Sequence, residues 1–237
     1  MSLSLTSARR TLNAAVKIVQ FIRNPTNDRV FAVAEALMTR SPAFLAVRDA
    51  EFHGHPRIAA ALQSRPQLGP VDLSALQRLP EGTLGRVFGD HMVTHNLSLA
   101  DIPTLEVSRP DQYIRAHLYE THDIWHVVTN TGVDGAGELG VQAFYLAQVP
   151  APVVTALIGG GMFNTAFVNF DDMPARIRGI VRGWLLGRRA EPLFGIPWQA
   201  WWERPIDDVR RELRLDLDEI EHVLDDSRTR RRAEIVS

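Results

Sequence analysis

His122-Asp123-Ile124-Trp125-His126, separated by eleven residues from Glu138, reads as one helix turning back into another. On a helix, side chains four residues apart share a face, so His122 and His126 present two imidazoles a turn apart. That pairing suits two nitrogens reaching a single metal ion. Asp123 falls about 100° round the helix from His122 and about 60° from His126. It is read as a ligand at the rim, as an acceptor for an imidazole N–H, or as a base beside the metal. Thr131-Gly132-Val133-Asp134-Gly135-Ala136-Gly137 interrupts the helix with three glycines, and a second helix starting there can carry Glu138 back to the same centre.

The rest of the 237-residue chain fits a helical protein with a substantial core. Hydrophobic residues make up 45% and charged residues 23%, the balance of an ordinary globular domain. A formal net charge of −2 offers no general basic surface for nucleic acid. The absence of cysteine excludes disulfides, thiolate ligands and a cysteine nucleophile together. Any metal must then be held mainly by nitrogen and oxygen. No internal repeat or sustained strand alternation is visible. The reading is all-α: a single domain over residues 1–237 with a flexible tail from about residue 226.

Residues 2–23 lack an acid and carry Arg9, Arg10, Lys17 and Arg23, which imitates a transit peptide. A first helix with Leu12, Val16, Val19 and Ile22 on one stripe is the preferred reading. Phe31, Ala34, Leu37 and Met38 predict a second helical stripe after a turn at Asn24-Pro25-Thr26-Asn27. His91 and His95 form another pair four apart and are read as structural or surface residues; His117 is expected to point away from the metal. No charged residue lies between Glu138 and Asp171. Prolines, glycines and amides rule against a membrane span there and favour two buried helices, near 138–148 and 153–167. Their small residues leave room for an apolar gap lined by Phe144, Leu146, Leu157, Met162 and Phe163, able to hold a long lipid. Beyond it, Ile177, Ile180, Val181, Trp184 and Leu185 repeat at helical spacing, with Arg176, Arg178, Arg182, Arg188 and Arg189 off that stripe. A solvated basic face is the ordinary reading. Arg178, Arg182 and Trp184 at a membrane surface is the functional one.

Bare H-D-x-x-H is weak, but H-D-x-x-H, eleven residues, E resembles the metal motif of the coenzyme Q biosynthesis protein four (Coq-four) family. Leu79-Pro80-Glu81-Gly82-Thr83-Leu84-Gly85 resembles that family's L-P-x-G-T-L-G turn, and residues 187–198, from Gly187-Arg188 through Pro192-Leu193-Phe194 to Trp198, its G-R-x-x-x-P-L-F-x-x-x-W segment. With Arg65-Pro66 and Tyr113, the similarity runs from about residue 25 to about residue 215. His91 and His95 depart from it, standing where the family usually has apolar or aromatic residues. If they face the cavity, its head-group pocket differs.

The resemblance implies an all-helical bundle of about eight to ten helices, with an apolar lipid tunnel and a metal site on a helical hairpin. His122, Asp123, His126 and Glu138 would hold a divalent metal: zinc first, then iron(II), manganese or magnesium. Asp123 would be catalytic, and Phe144, Leu157, Met162 and Phe163 would bind lipid. The implied activity is removal of the carboxylate from a polyprenylated hydroxybenzoate and hydroxylation of that carbon, at the cytoplasmic face of a bacterial membrane. Other quinone-biosynthesis proteins and a second copy of the chain are the implied partners. Two other classes stand beside this enzyme: a non-catalytic lipid-binding scaffold, and a hydrolase, since H-D-x-x-H also resembles a zincin motif with a shorter acid.

Overall fold

Helix supplies every extended element that the computed structural model describes, over residues 5–24, 29–30, 32–33, 36, 54–103, 105, 107–149 and 152–236. Among these, eleven α-helices follow in order: α1 (Leu5–Arg23), α2 (Pro56–Ser64), α3 (Leu73–Leu76), α4 (Leu84–Thr94), α5 (Pro110–Glu120), α6 (His122–Thr129), α7 (Gly135–Gln148), α8 (Pro152–Phe167), α9 (Met173–Arg189), α10 (Ile206–Glu212) and α11 (Leu217–Val236). The all-α reading holds, with one helix more than the upper expectation. The helix α11 continues to Val236, past the point where a tail was expected. The stripe of Phe31, Ala34, Leu37 and Met38, and the turn at Pro25-Thr26-Asn27, fall outside the described residues.

The most extensive helix pair is α7 with α9, and its contact is made by small residues. Gly179, Gly183 and Gly187 recur every four positions on α9 and meet Ala136, Gly140 and Phe144 of α7, also four apart. A Cβ on Gly179 would lie closer than 3.0 Å to the Ala136 carbonyl oxygen, one on Gly183 to that of Gly140, and one on Gly187 to that of Phe144. The two backbones therefore touch directly, as small residues at four-residue spacing permit.

This contact sets which face of α9 is buried. Its buried face is Arg176, Gly183, Leu186 and Gly187, while Ile177, Val181 and Trp184 are each a little over 40% exposed. Ile180 and Leu185 of the same stripe are partly buried, and the closeness available only to glycine decides which face packs. Of the five arginines, Arg188 and Arg189 are exposed, whereas Arg176, Arg178 and Arg182 are not a solvated face. Arg176 is buried and donates to Asn164 Oδ1, Thr165 Oγ1 and Asp172 Oδ2 at 2.9–3.2 Å. Arg178 and Arg182 donate to the two carboxylate oxygens of Glu221 on α11, each at 2.6 Å. The charge of Arg178 and Arg182 is thus offset within the fold.

A similar socket sets α1. Phe21 packs where Gly160 of α8 lacks a side chain, and Asn164 Nδ2 donates to the Ile22 carbonyl at 2.9 Å. The helix forms as expected, but Leu12, Val16 and Val19 face outward.

The two stretches set apart by the sequence lock the ends of α4 and α5. Thr83 caps α4, its hydroxyl donating to the Pro80 carbonyl at 2.7 Å and accepting from Arg86 N–H. Leu84 and Gly85 N–H donate to the carbonyls of Arg204 and Trp202, both at 2.8 Å, and Ile206 N–H returns to the Gly82 carbonyl. Leu193, Phe194, Ile196 and Trp198 are buried. The Gly195 N–H donates to His117 Nε2 at 3.0 Å, and His117 Nδ1 lies 3.4 Å from Glu120 Oε1, so His117 is a buried core residue outside the group of candidate metal donors. Arg65 donates to the carbonyls of Val107 and Ser108, and Tyr113 Oη–H to that of Pro66. Both stretches hold the scaffold around α6.

Candidate metal centre

The helix α6 is short, eight residues, too short to be stable alone in water. Its C-terminal carbonyls are claimed from outside. Asn130 adopts a left-handed conformation (φ 50°) that turns the chain, and Thr131 N–H donates to the His126 carbonyl. Arg210 of α10 donates to the carbonyls of Val127 and Val128, and Arg182 of α9 to that of Thr129, all at 3.0 Å. Two cations at the negative end of the helix dipole add to that hold. Only Gly132 of the three glycines lies in the connector. Asp134 caps α7 by accepting from Gly137 N–H at 2.7 Å, and Gly137 lets the Gly132 carbonyl approach where a Cβ could not stand. Glu138 is thereby fixed in the first turn of α7, where the helix dipole favours a carboxylate.

The result is a triangle of donor atoms. His122 Nε2 and His126 Nε2 are 3.2 Å apart, Glu138 Oε1 lies 3.4 Å from His126 Nε2, and Glu138 Oε2 lies 3.6 Å from His122 Nε2. Ligand atoms about 2.1 Å from one ion at the tetrahedral angle stand roughly 3.4 Å apart. The Glu138 carboxylate spans the two nitrogens with one oxygen toward each, and one ligand atom from each residue lies within 4.8 Å of the others, so the group could hold one divalent ion.

Each imidazole is oriented from behind. His126 Nδ1–H donates to the Thr131 carbonyl at 3.1 Å, which leaves Nε2 as the unprotonated donor toward the centre. His122 Nδ1 faces the Tyr145 hydroxyl at 3.4 Å, the two rings stack at 5.9 Å, and that hydroxyl also reaches the Leu118 carbonyl. Burial, with the charges of Asp123 and Glu138, holds the Tyr145 phenol protonated. Partners of this kind are worth about 10- to 100-fold in metal affinity. Tyr145→Phe keeps the ring stack and loses the hydroxyl, so it should weaken zinc binding about tenfold with little change in melting temperature. Unchanged affinity by calorimetry would remove Tyr145 from the site.

Asp123 is not one of the three. The described group of donor atoms within 4.8 Å comprises His122, His126 and Glu138 alone. One position along α6 from His122, Asp123 sits outside the triangle, and its charge acts on His122, His91 and Tyr145. The expectation of Asp123 as a fourth ligand is corrected to a charge beside the site. His91 was read as structural or surface, yet its ring lies 6.3 Å from that of His126 at an interplanar angle of 23°. Burial, then the charge of His126, pulls His91 down to about 4, so it is neutral near pH 7. Two signals bore on its position: the four-residue spacing to His95, which surface helices share, and the departure of both histidines from the family's apolar or aromatic residues.

The expected lipid-lining residues do not converge. Phe144 packs edge-on against Trp125, and Leu157 lies in the same core. Met162 is half-buried, whereas Phe163 is 57% exposed and stacks on Phe167 at 6.2 Å. The buried face of α8 is Val153, Val154, Leu157, Gly160, Gly161, Asn164 and Thr165, which turns Phe163 outward. A cleft of about 920 Å³ lies elsewhere, between α9, α10 and the start of α11, and is lined by charged side chains including Arg189, Arg210 and Glu221. No described helix is long and apolar enough to cross a membrane.

The profile of the family described as coenzyme Q (ubiquinone) biosynthesis protein Coq4 matches residues 2–218. This chain belongs to the Coq4 family. Among curated Coq4 proteins, the mitochondrial homologue of Aedes aegypti is 24% identical over 91% of this chain and 78% of its own length. That of Rattus norvegicus is 29% identical over 88% and 78%. A crystal structure of a candidate ubiquinone biosynthesis protein from Nostoc punctiforme PCC 73102 superposes with a TM-score of 0.77 at 27% identity, covering 87% of this chain and 98% of that one. The Coq4 family resemblance and the all-helical fold expected from it are thus established together.

Titration of the centre sets its pH dependence. Burial opposes the charge on His122, but hydrogen bonding to Glu138 and the nearby carboxylates outweigh it and raise the imidazole above its ordinary 6.5. Burial likewise opposes the Glu138 charge, but the two histidines outweigh it and hold the carboxyl well below its ordinary 4.5. In the metal-free protein, the Glu138 contribution is lost as pH falls below 4.5 toward its lowered value, and the His122 contribution as pH rises above 6.5 through its raised value. The pair therefore stabilises the metal-free fold most between those limits. Metal must displace the His122 proton, so its affinity rises with pH, up to about tenfold per unit. The zinc-induced increase in melting temperature should be larger near pH 7.5 than near pH 5.5; an increase independent of pH would contradict this protonation scheme.

Proposed function

We propose that this chain binds one divalent metal through His122, His126 and Glu138 and acts on a polyprenylated hydroxybenzoate in ubiquinone biosynthesis: the ring carboxylate leaves as carbon dioxide, water supplies the hydroxyl oxygen to that carbon, and dioxygen, the two-electron oxidant, is reduced to hydrogen peroxide. The observation that carries the reading is the donor triangle of 3.2–3.6 Å on a helical hairpin. Family membership supports the substrate class. A bound ion with two imidazoles and one carboxylate keeps open positions and supplies a Lewis acid for a substrate carboxylate or phenolate. The protein's share is orientation and electrostatics. Tyr145 and the Thr131 carbonyl fix the imidazoles, and Asp123, close by and outside the ligand set, is placed to take up or return a proton.

Attachment to a membrane surface, rather than passage through it, is supported by apolar side chains left in the open. Phe163, Phe167, Val168 and Phe170 end α8 and the turn after it, and Ile177, Val181 and Trp184 follow on α9. Exposed aromatic and aliphatic groups in such number mark a contact surface. Arg178 and Arg182, held by Glu221, contribute less to this reading than Trp184 does.

Purified protein loaded with zinc, iron(II) or manganese should release carbon dioxide from a prenylated hydroxybenzoate in air. Failure with all three metals would overturn the enzyme reading. A non-catalytic scaffold is favoured by one specific observation: all three candidate ligands lie on the consecutive helices α6 and α7, so a bound ion would pin that hairpin. On that reading, His126→Ala loses fold stability and lipid binding together; on the enzymatic one, activity falls before stability does.

A further inference from the structure

The helix α4 lies against α6 and brings His91 beside the donor triangle. His91 Nε2 is buried and has no hydrogen-bond partner in the protein. Buried polar atoms in folded proteins are nearly always paired, so an unpaired one calls for a reason, a functional role or a bound water or ion among them. His91 is not itself one of the close-set donors. Its ring runs nearly parallel to that of His126 at 6.3 Å, and the charged or titratable groups that act on it are His126, Asp123, His95 and His122. The structural alternative, a tilted ring contact with His95 at 4.8 Å, explains the ring's packing and leaves the nitrogen unexplained.

We propose that His91 is the head-group anchor of this site: its Nε2 pairs with an oxygen of the substrate group that binds the metal's open side. The inference rests on the metal reading above and narrows the substrate class. A head group served by both the ion and His91 must present two oxygens on one rigid unit, as an aromatic carboxylate does. His91 then selects among metal-binding groups without holding the metal.

Cobalt(II) is a suitable probe, because its visible spectrum responds to coordination. The full chain loaded with cobalt would be titrated with benzoate, for the wild type, His91→Phe and His91→Gln, with circular dichroism to verify folding. In His91→Phe the benzoate dissociation constant should rise about tenfold, the size of a lost hydrogen bond to a charged group. His91→Gln, which keeps an N–H, should recover most of the affinity, and cobalt affinity should be unchanged in both. Equal benzoate affinity in His91→Phe and wild type overturns the proposal. So does a loss of cobalt affinity in both variants, which would make His91 a ligand. If wild type itself binds no cobalt or zinc, the metal reading fails, and this inference with it.

Discussion

Glu138→Ala is expected to lower zinc affinity by roughly 100-fold or more. Structural zinc sites are worth about 10–16 kcal/mol over four ligands, so one ligand of three contributes about 3 kcal/mol, and every 1.4 kcal/mol is tenfold. The loss also has an electrostatic part. Without the carboxylate, His122 and His126 face each other at 3.2 Å with no neutralising charge beside them, and burial then favours the neutral imidazoles. Glu138→Gln should behave nearly as badly, because an amide is a poor ligand and neutral. In the metal-free state the effect on stability should be far smaller, since Glu138 is half-exposed and surface pairs are worth little. A thermal-shift series with and without zinc separates the two. If Glu138→Ala retains the full zinc-induced shift, the hairpin does not form the site.

The largest structural effect is expected at Gly183→Val. Two terms oppose each other. A Gly in a helix interior costs about 1 kcal/mol relative to Ala, so replacing it should help α9. Against that, the new Cβ would meet the Gly140 carbonyl closer than 3.0 Å, and a backbone carbonyl in the middle of α7 cannot rotate aside. Overpacking of this kind costs about 3 kcal/mol. For a chain of this size that is a fall of about 10 °C in melting temperature. The lost packing should also reach the site: α7 carries Glu138, so zinc affinity should drop although Gly183 touches no ligand. Gly159→Ala on α8 is the control, because nothing lies within 4 Å of the added Cβ; it should be neutral or slightly stabilising. If Gly183→Val melts with the wild type, the α7–α9 contact is looser than described.

The metal hairpin was legible because its signal is local. Two residues four apart and a third beyond a glycine-rich turn need only helix geometry to converge, and they do. The same reasoning left Asp123 open as ligand, acceptor or base, and only the family resemblance made it a ligand: proximity in sequence cannot tell a ligand from a charge one position off the ligand face. The face that α9 packs was not legible from its hydrophobic stripe, since Ile177, Val181 and Trp184 stay exposed. The deciding feature was the recurrence of Gly179, Gly183 and Gly187, whose value depends on a partner helix that the local sequence does not name. Phe163 was misread for the reverse reason. A charge-free stretch looked uniformly buried, although α8 has only one face against the core. His91 lies thirty-one residues before His122, and only the packing of α4 on α6 places it beside the site.

The most direct test of the centre is native mass spectrometry of the metal-stripped chain after one equivalent of zinc, alongside His126→Ala. The expected result is one ion per wild-type chain and none on the variant. A wild-type chain that takes up no ion, or a variant that holds it equally well, would contradict the site.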